Sequence, residues 1–339
     1  MSRRLGLSLL VLAGLAVVPV ARGAGPAPYA QQGGAGVVSR DGSARFVAVS
    51  DRVNTVLTKI ATTDGQLLRS VALNGSFGIP VLTYGSPGDG LSPDGETLVL
   101  GNTGIASPSR FVIVDARTLR VRDELSFDGA FAFDALSPNG SKLYLIQHAS
   151  TEDVTHYVVR GYDLRAHRLL PGRIADKTQK SWVMQGYPMT RATSADGRWA
   201  YTLYQNPQGY PFIHALDTVR GVAHCIGLPW TANDQGPLWN IVLTLREGGK
   251  SLAVHWKSGR PWLNVDTASW RITHVAPGSF PWLWLGLGIG AAALAAAAAL
   301  PASRVRGRAD GRGDAPALAH DEPARTQDEH ALAHGHVAV

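Results

Sequence analysis

Through the middle of the chain, short apolar runs alternate with polar turns, and the whole alternation recurs. The runs are Arg45-Phe46-Val47-Ala48-Val49, Thr97-Leu98-Val99-Leu100, Lys142-Leu143-Tyr144-Leu145-Ile146, Trp199-Ala200-Tyr201-Thr202-Leu203 and Ser251-Leu252-Ala253-Val254. They are too short for stable helices and rich in β-branched and aromatic residues, so they predict strands. Each follows one turn motif: Ser39-Arg40-Asp41-Gly42, Ser92-Pro93-Asp94-Gly95, Ser137-Pro138-Asn139-Gly140, Ser194-Ala195-Asp196-Gly197 and a worn copy, Arg246-Glu247-Gly248-Gly249. The acidic or Asn positions, Asp41, Asp94, Asn139, Asp196 and Glu247, are spaced by 53, 45, 57 and 51 residues. Self-similarity at such a period predicts stacked or radial modules.

The second repeat displays one whole module. Gly90-Leu91 leads into the turn, Thr97 to Leu100 makes the next strand, Arg110 to Val114 a third, and Leu119 to Leu125 a fourth after Asp115-Ala116-Arg117-Thr118. Proline presets φ at the turn's early position, Asp supplies a side-chain acceptor, and Gly accepts positive φ. A second turn Asp recurs at Asp163, Asp217 and Asp266, with Thr62 to Gly65 in that place in the first repeat. The expected fold is all-β, a ring of five four-stranded blades. Six blades and an incomplete ring are the alternatives.

Val38-Ser39-Arg40-Asp41-Gly42 and Leu91-Ser92-Pro93-Asp94-Gly95, each followed by an apolar strand and an Asp turn, resemble bacterial surface β-propellers of the YVTN type. These are relatives of WD-repeat and TolB-like propellers. The resemblance spans about residues 34 to 279. It is specific for fold and loose for function, because such rings serve as scaffolds, enzymes and enzyme subunits. The chain departs from the pattern in having five recognisable repeats where many relatives have seven, and a degenerate last copy.

The resemblance implies that loops at one end of the ring surround a channel mouth. Carried onto this sequence, the loops leading into the innermost strands contribute Tyr84, Asp89, Phe133, Asp134, Tyr187, Asp234 and Trp239. The loops after the following strands add Asp51, Arg52, Asn102, His148, Tyr204, Gln205, His255 and Trp256. The candidate ligand-binding set is Tyr84, Asp89, Asp134, Tyr187, Trp239, His255 and Trp256, a mixture suited to a small polar ligand or a peptide.

The ends of the chain change the setting. Arg3 and Arg4, the uncharged stretch Leu5 to Val20 and the small residues around Ala21-Arg22-Gly23 form a secretory leader over 1–23. Phe280 to Leu300 lacks any charge, carries Phe280, Trp282 and Trp284 at one end, and is followed by Arg304, Arg306, Arg308 and Arg312. That is a membrane span with an inside-positive flank. The topology places 24–279 outside the cytoplasm, 280–300 in the membrane and the tail 301–339 inside as a disordered segment. Gly286 and Gly290 would let two such helices approach closely as a homodimer.

Composition then trims the functional classes. The net charge of +6 falls to a near-balanced surface over the outer region, where no basic stripe is interleaved with aromatics, so nucleic acid is not an expected partner. Cys225 is the sole cysteine and no intrachain disulfide can form. No metal or cofactor is expected: the turn Asp and Asn side chains read as backbone acceptors, and His330, His334 and His336 belong to a compositionally biased tail. Nucleophile-elbow, zinc-protease and dithiol motifs are absent, leaving Asp51, Asp89, Asp134 and His255 as the groups a blade-assembled active site would use. The leading expectation is a membrane-anchored, non-catalytic binding scaffold at the cell surface. The alternatives are a carbohydrate-binding ring using Trp239 and Trp256, and a hydrolase or lactonase-like propeller.

Overall fold

The computed structural model describes residues 28–83, 86–177, 184–206, 209–231 and 234–275. The expected leader, the 280–300 span with Gly286 and Gly290, the 301–339 tail and Tyr84 lie outside the described residues. Among the described residues no helix is long and apolar enough to cross a membrane.

The repeats fold as expected into antiparallel meanders. After β1 (Tyr29–Gln31), blade 1 holds β2 (Val37–Val38), β3 (Ala44–Ser50), β4 (Asn54–Ala61) and β5 (Leu67–Asn74). Blade 2 follows with β6 (Phe77–Val81), β7 (Thr97–Asn102), β8 (Ser109–Asp115) and β9 (Val121–Phe127). Blade 3 has β10 (Phe131–Leu136), β11 (Lys142–His148), β12 (His156–Asp163) and β13 (Arg168–Leu169), with β14 (Met184–Gln185) also paired to β12. Blade 4 has β15 (Tyr187–Thr193), β16 (Trp199–Gln205), β17 (Phe212–Asp217) and β18 (Val222–Gly227). Blade 5 has β19 (Ile241–Arg246), β20 (Ser251–Trp256), β21 (Pro261–Asp266) and β22 (Ile272–His274). Each sheet runs in chain order from its innermost strand outward, and β1 adds to the free edge of β6. The fold is an all-β propeller of five blades.

The repeated turn owes its constancy to its serine. In blade 1 the Ala44 N–H donates to Ser39 Oγ at 2.9 Å, Ser39 Oγ–H donates to Asp41 Oδ1 at 2.6 Å, and the Gly42 N–H closes the turn on Ser39 O at 2.8 Å. Ser92, Ser137 and Ser194 repeat the first bond to Thr97, Lys142 and Trp199. The side chain thus accepts from the first N–H of the next strand, which the tight turn would otherwise orphan. In the fifth repeat Arg246 holds that place, and the turn is made by residues at positive φ, Glu247, Gly248 and Gly249.

Blades pack face to face. Phe46, Ala48 and Leu57 of blade 1 meet Phe77, Leu98 and Val112 of blade 2. Further buried clusters join blades 2 and 3 through Phe111, Phe127 and Phe131, blades 3 and 4 through Tyr144, Tyr157 and Tyr204, and blades 4 and 5 through Leu203, Leu243 and Val254. Among the described residues no such cluster joins blade 5 to blade 1. The middle blades are therefore buried on both faces, while β3 and β4 of blade 1 alternate buried and open.

The turn glycines test this packing. Gly42 has φ 71° and open space where a side chain would go, whereas Gly197, at φ 74°, would set a Cβ against Pro93 of blade 2. Gly42→Ala is expected to cost about 1–2 kcal/mol from left-handed strain alone. Gly197→Ala adds an overpacking cost of about 1–3 kcal/mol. Urea midpoints of the two variants, compared at equal m-value, check the difference.

Candidate functional site at the ring axis

Aligning the blades on their turn serines exposes one recurrent position, three residues earlier on the innermost strand. It is Gly36, Asp89, Asp134 and Arg191 in blades 1 to 4, and Leu243 in blade 5, where Arg246 pairs with Ser251 in the serine's place. Three adjacent blades thus bring charged groups toward the same axis. In blade 3 a bulge places Asp134 between the pairs Phe133–Leu145 and Ala135–Tyr144. Blade 2 reaches the same end by a detour: the chain leaves β6 after Val81 and returns at Asp89, whose N–H donates to Pro80 O at 2.7 Å.

Arg191 Nη1 donates to the Asp134 backbone oxygen at 2.6 Å and to Asp134 Oδ1 at 3.3 Å. Asp134 is only 2% exposed, and its Oδ2 has no hydrogen-bond partner, nor does Arg191 Nε. Tyr157, Tyr204 and His214 lie in the same blade 3–4 interface. The Tyr157 and Tyr204 rings are 5.3 Å apart, and Tyr204 meets His214 edge-on at 6.5 Å. Both hydroxyls and His214 Nε2 are buried without a directed partner. Burial pushes both phenols above their usual range and pulls the His214 imidazole down to about 4. The polar streak continues outward: Cys225 Sγ lies 3.7 Å from His214 Nδ1, and the Cys225 N–H donates to Asp176 Oδ2 at 2.8 Å. Burial pushes the Cys225 thiol up to about 12, which leaves it a poor nucleophile.

Asp89 is the third charge and makes no ion pair at contact distance among the described residues. Burial pushes its carboxyl up; Arg191 opposes that shift and the Asp134 charge adds to it. Asp89 also lines a pocket of about 330 Å3 that opens at the turn end, between blades 1, 2 and 4. Among the described residues no group of three His, Cys, Asp or Glu side chains is arranged to hold a metal ion.

The other sequence candidates scatter. Tyr187 starts β15 and packs half-buried against the blade 4–5 core. Trp239 sits in a 3-10 turn, Gly236–Asn240, with 36% of its surface exposed. Trp256 is half-buried in that core, and the Arg260 guanidinium covers its ring at 4.7 Å. His255 lies on blade 5's outer face, with Nε2 2.9 Å from Thr244 Oγ1 and Nδ1 3.1 Å from Trp256 O. Asp51 accepts the N–H groups of Val53 and Asn54, Asn102 accepts that of Arg110, and Asp234 that of Gly236. His148 is buried, with Nδ1 3.0 Å from Val154 O. The structure therefore brings Asp89, Asp134 and Tyr204 to one region and leaves Tyr187, Trp239, His255 and Trp256 with blade 5 and its neighbour. Arg191 escapes a reading of loops alone; the serine alignment is the signal that finds it.

Two measurements probe the axis. Arg191→Met strands the Asp134 carboxylate, and a broken buried pair costs about 3–5 kcal/mol. Adding Asp134→Asn should recover much of that loss, which a double-mutant cycle of unfolding free energies reads directly. His214 binds its proton less readily when folded, so the unfolded chain takes up more protons between pH 6.5 and about 4. Stability should be full above pH 6.5 and fall by up to about 3 kcal/mol as pH drops to about 4. His214→Phe removes its share of that slope in a pH series of urea denaturations.

No family model matches the chain, and no curated protein matches it. Among solved structures it is similar to hydrazine synthase of Kuenenia stuttgartiensis, at 15% identity over 68% of this chain and 63% of that one, with a TM-score of 0.44. The chain thus spans less than two thirds of that protein's length. It is also similar to the Swd1 β-propeller domain of Myceliophteria thermophila (11% identity, 75% and 71% covered, TM-score 0.43). TolB of Acinetobacter baumannii is similar at 14% identity, with 68% and 53% covered and a TM-score of 0.37. The likeness is one of fold.

Proposed function

We propose that the chain is a membrane-tethered, extracytoplasmic propeller that binds a protein or peptide partner without transforming it. The observation that carries this reading is the unpaired face of blade 1. Val49 and Val56 are cross-strand partners and point to the same side, away from blade 2. They are 52% and 45% exposed, and Val38, nearer the axis on that face, is 49% exposed. Every other blade interface in the series covers such positions with a neighbour, and β-branched residues in open water are an unusual use of a sheet face. The outer face of blade 5 is more polar by contrast, with Thr244 and Asn264 on either side of Ala253 and His255 Nε2 2.9 Å from Thr244 Oγ1. The two end faces are poorly matched to one another, and the blade 1 side suits an apolar partner surface. The uncharged 280–300 stretch and its arginine-rich flank support tethering beside other envelope proteins.

Trp239 favours a second reading, a glycan stacked on the loop face of blade 5, because its ring remains exposed while Trp256 is covered. A hydrolytic reading draws on Asp89 and Asp134, with His255 positioned elsewhere.

The test places a photo-crosslinking residue at Val49 or Val56 in the full-length protein in its own membranes. A discrete cross-linked protein that disappears with Val49→Asp is the expected result. Absence of any adduct at either position counts against the scaffold reading. Glycan binding lost in Trp239→Ala would shift it to the second.

A further inference from the structure

The ring axis carries two carboxylates and one guanidinium. Arg191 is committed to Asp134, which leaves Asp89 as the carboxylate without a cation of its own. Asp89 stands three residues before its turn serine and lines the turn-face pocket. Val38, Leu91, Pro93 and Ala195, contributed by three blades, give the pocket apolar lining beside that carboxylate. Arg40 also lines the pocket, but it is exposed and not among the charges acting on Asp89. A space of about 330 Å3 lined by four apolar side chains and one carboxylate has a definite chemical complement: an alkyl stem ending in a cation.

We infer that the turn-face pocket is a receptor for a primary alkylammonium, the side chain of a lysine presented by a partner or a free aliphatic amine, with Asp89 as the ion-pairing group and Val38, Leu91, Pro93 and Ala195 flanking the stem. The guest supplies the positive charge that the axis lacks. Desolvation that makes a lone carboxylate costly makes the same carboxylate a strong partner once a cation enters. A lysine in a peptide also brings a backbone against the lining residues Pro93 and Ala195, which a simple amine does not, and this gives the two sources different affinities. The pocket shares Val38 with the blade 1 face but neither Val49 nor Val56, so it stands whether or not a partner covers those two valines.

The acid-base consequence has a fixed sign. The groups facing Asp89 are Asp134 and Arg191 across the axis, with Arg40 at the rim. The carboxyl titrates above its ordinary range, so acid neutralises it early and binding of the cation weakens as pH falls through that raised value.

The experiment titrates the full-length protein in detergent with Nα-acetyl-lysinamide, with its neutral isostere Nα-acetyl-norleucinamide, and with n-pentylamine, followed by ligand-observed NMR. The lysine probe is expected to bind about tenfold or more tightly than the norleucine probe at neutral pH. Asp89→Asn should abolish that preference, and it removes a buried charge rather than a packing group, so the fold is retained. Ala195→Trp, at an exposed lining position, should weaken both probes by filling the mouth. Arg40→Gln should leave or strengthen lysine binding. Val49→Asp should leave the preference unchanged, which separates this site from the blade 1 surface. Pentylamine binding as tight as the lysine probe assigns the pocket to free amines, and weaker binding assigns it to peptide lysines. Equal affinity for lysine and norleucine, no detectable binding, or a preference that survives Asp89→Asn overturns the proposal.

Discussion

A twisted sheet has two faces, and a four-stranded blade cannot bury both by itself. That constraint governs this molecule. Blades 2, 3 and 4 each find a neighbour on either side, which is why β7, β11 and β16 read as nearly continuous buried runs. The end blades are covered on one side by the clusters around Leu57 and Leu243. At the other side each shows a row that no buried cluster of the described residues seals. Strand sharing between the first and last blades would close that seam, but β1, the strand that leaves chain order, pairs with β6 of blade 2. Sheet geometry thus leaves Val49 and Val56 exposed side by side on a strand face, without any loop being involved.

The same packing crowds the axis. Five inner strands converge, and Pro93 of blade 2 occupies the space against Gly197 of blade 4. Whatever residue stands three places before the turn is forced into that low-dielectric centre. Arg191 and Asp134 satisfy each other in part, yet Asp134 Oδ2, two tyrosine hydroxyls and His214 Nε2 stay without partners. Buried polar groups of this kind are normally held by ordered water, by a ligand or by each other. The axis is therefore where the fold tolerates most electrostatic cost, and cost of that kind is commonly retained for binding or specificity.

The strands and turns were legible because their determinants are local. Ser39, Asp41 and Gly42 bond within six residues of one another, and the same chemistry returns at Ser92, Ser137 and Ser194. A single-chain pattern captures bonds of that range. The loop reading of the site was less informative, since the tryptophans and His255 are placed by packing: Trp199 lies against Trp270, Trp230 against Trp262, and Arg260 over Trp256. Their aromatic character announces burial and exposure alike. Asp89 and Asp134 were visible as candidates, but their shared position with Arg191 emerges only when the repeats are superposed on their serines.

The sequence alone determined the repeated four-strand module, the number of its copies and the turn chemistry, because hydrogen bonds between residues a few places apart do not depend on the rest of the chain. Tertiary structure decided the remainder. Which charge meets which at the axis depends on inner strands of different blades lying side by side, with Arg191 and Asp134 separated by 57 residues. Which valines face water depends on which blade faces find a neighbour: among the described residues no buried cluster takes in Val49 or Val56. Both are consequences of how faces are shared around a ring, and no local pattern encodes the identity of a neighbour.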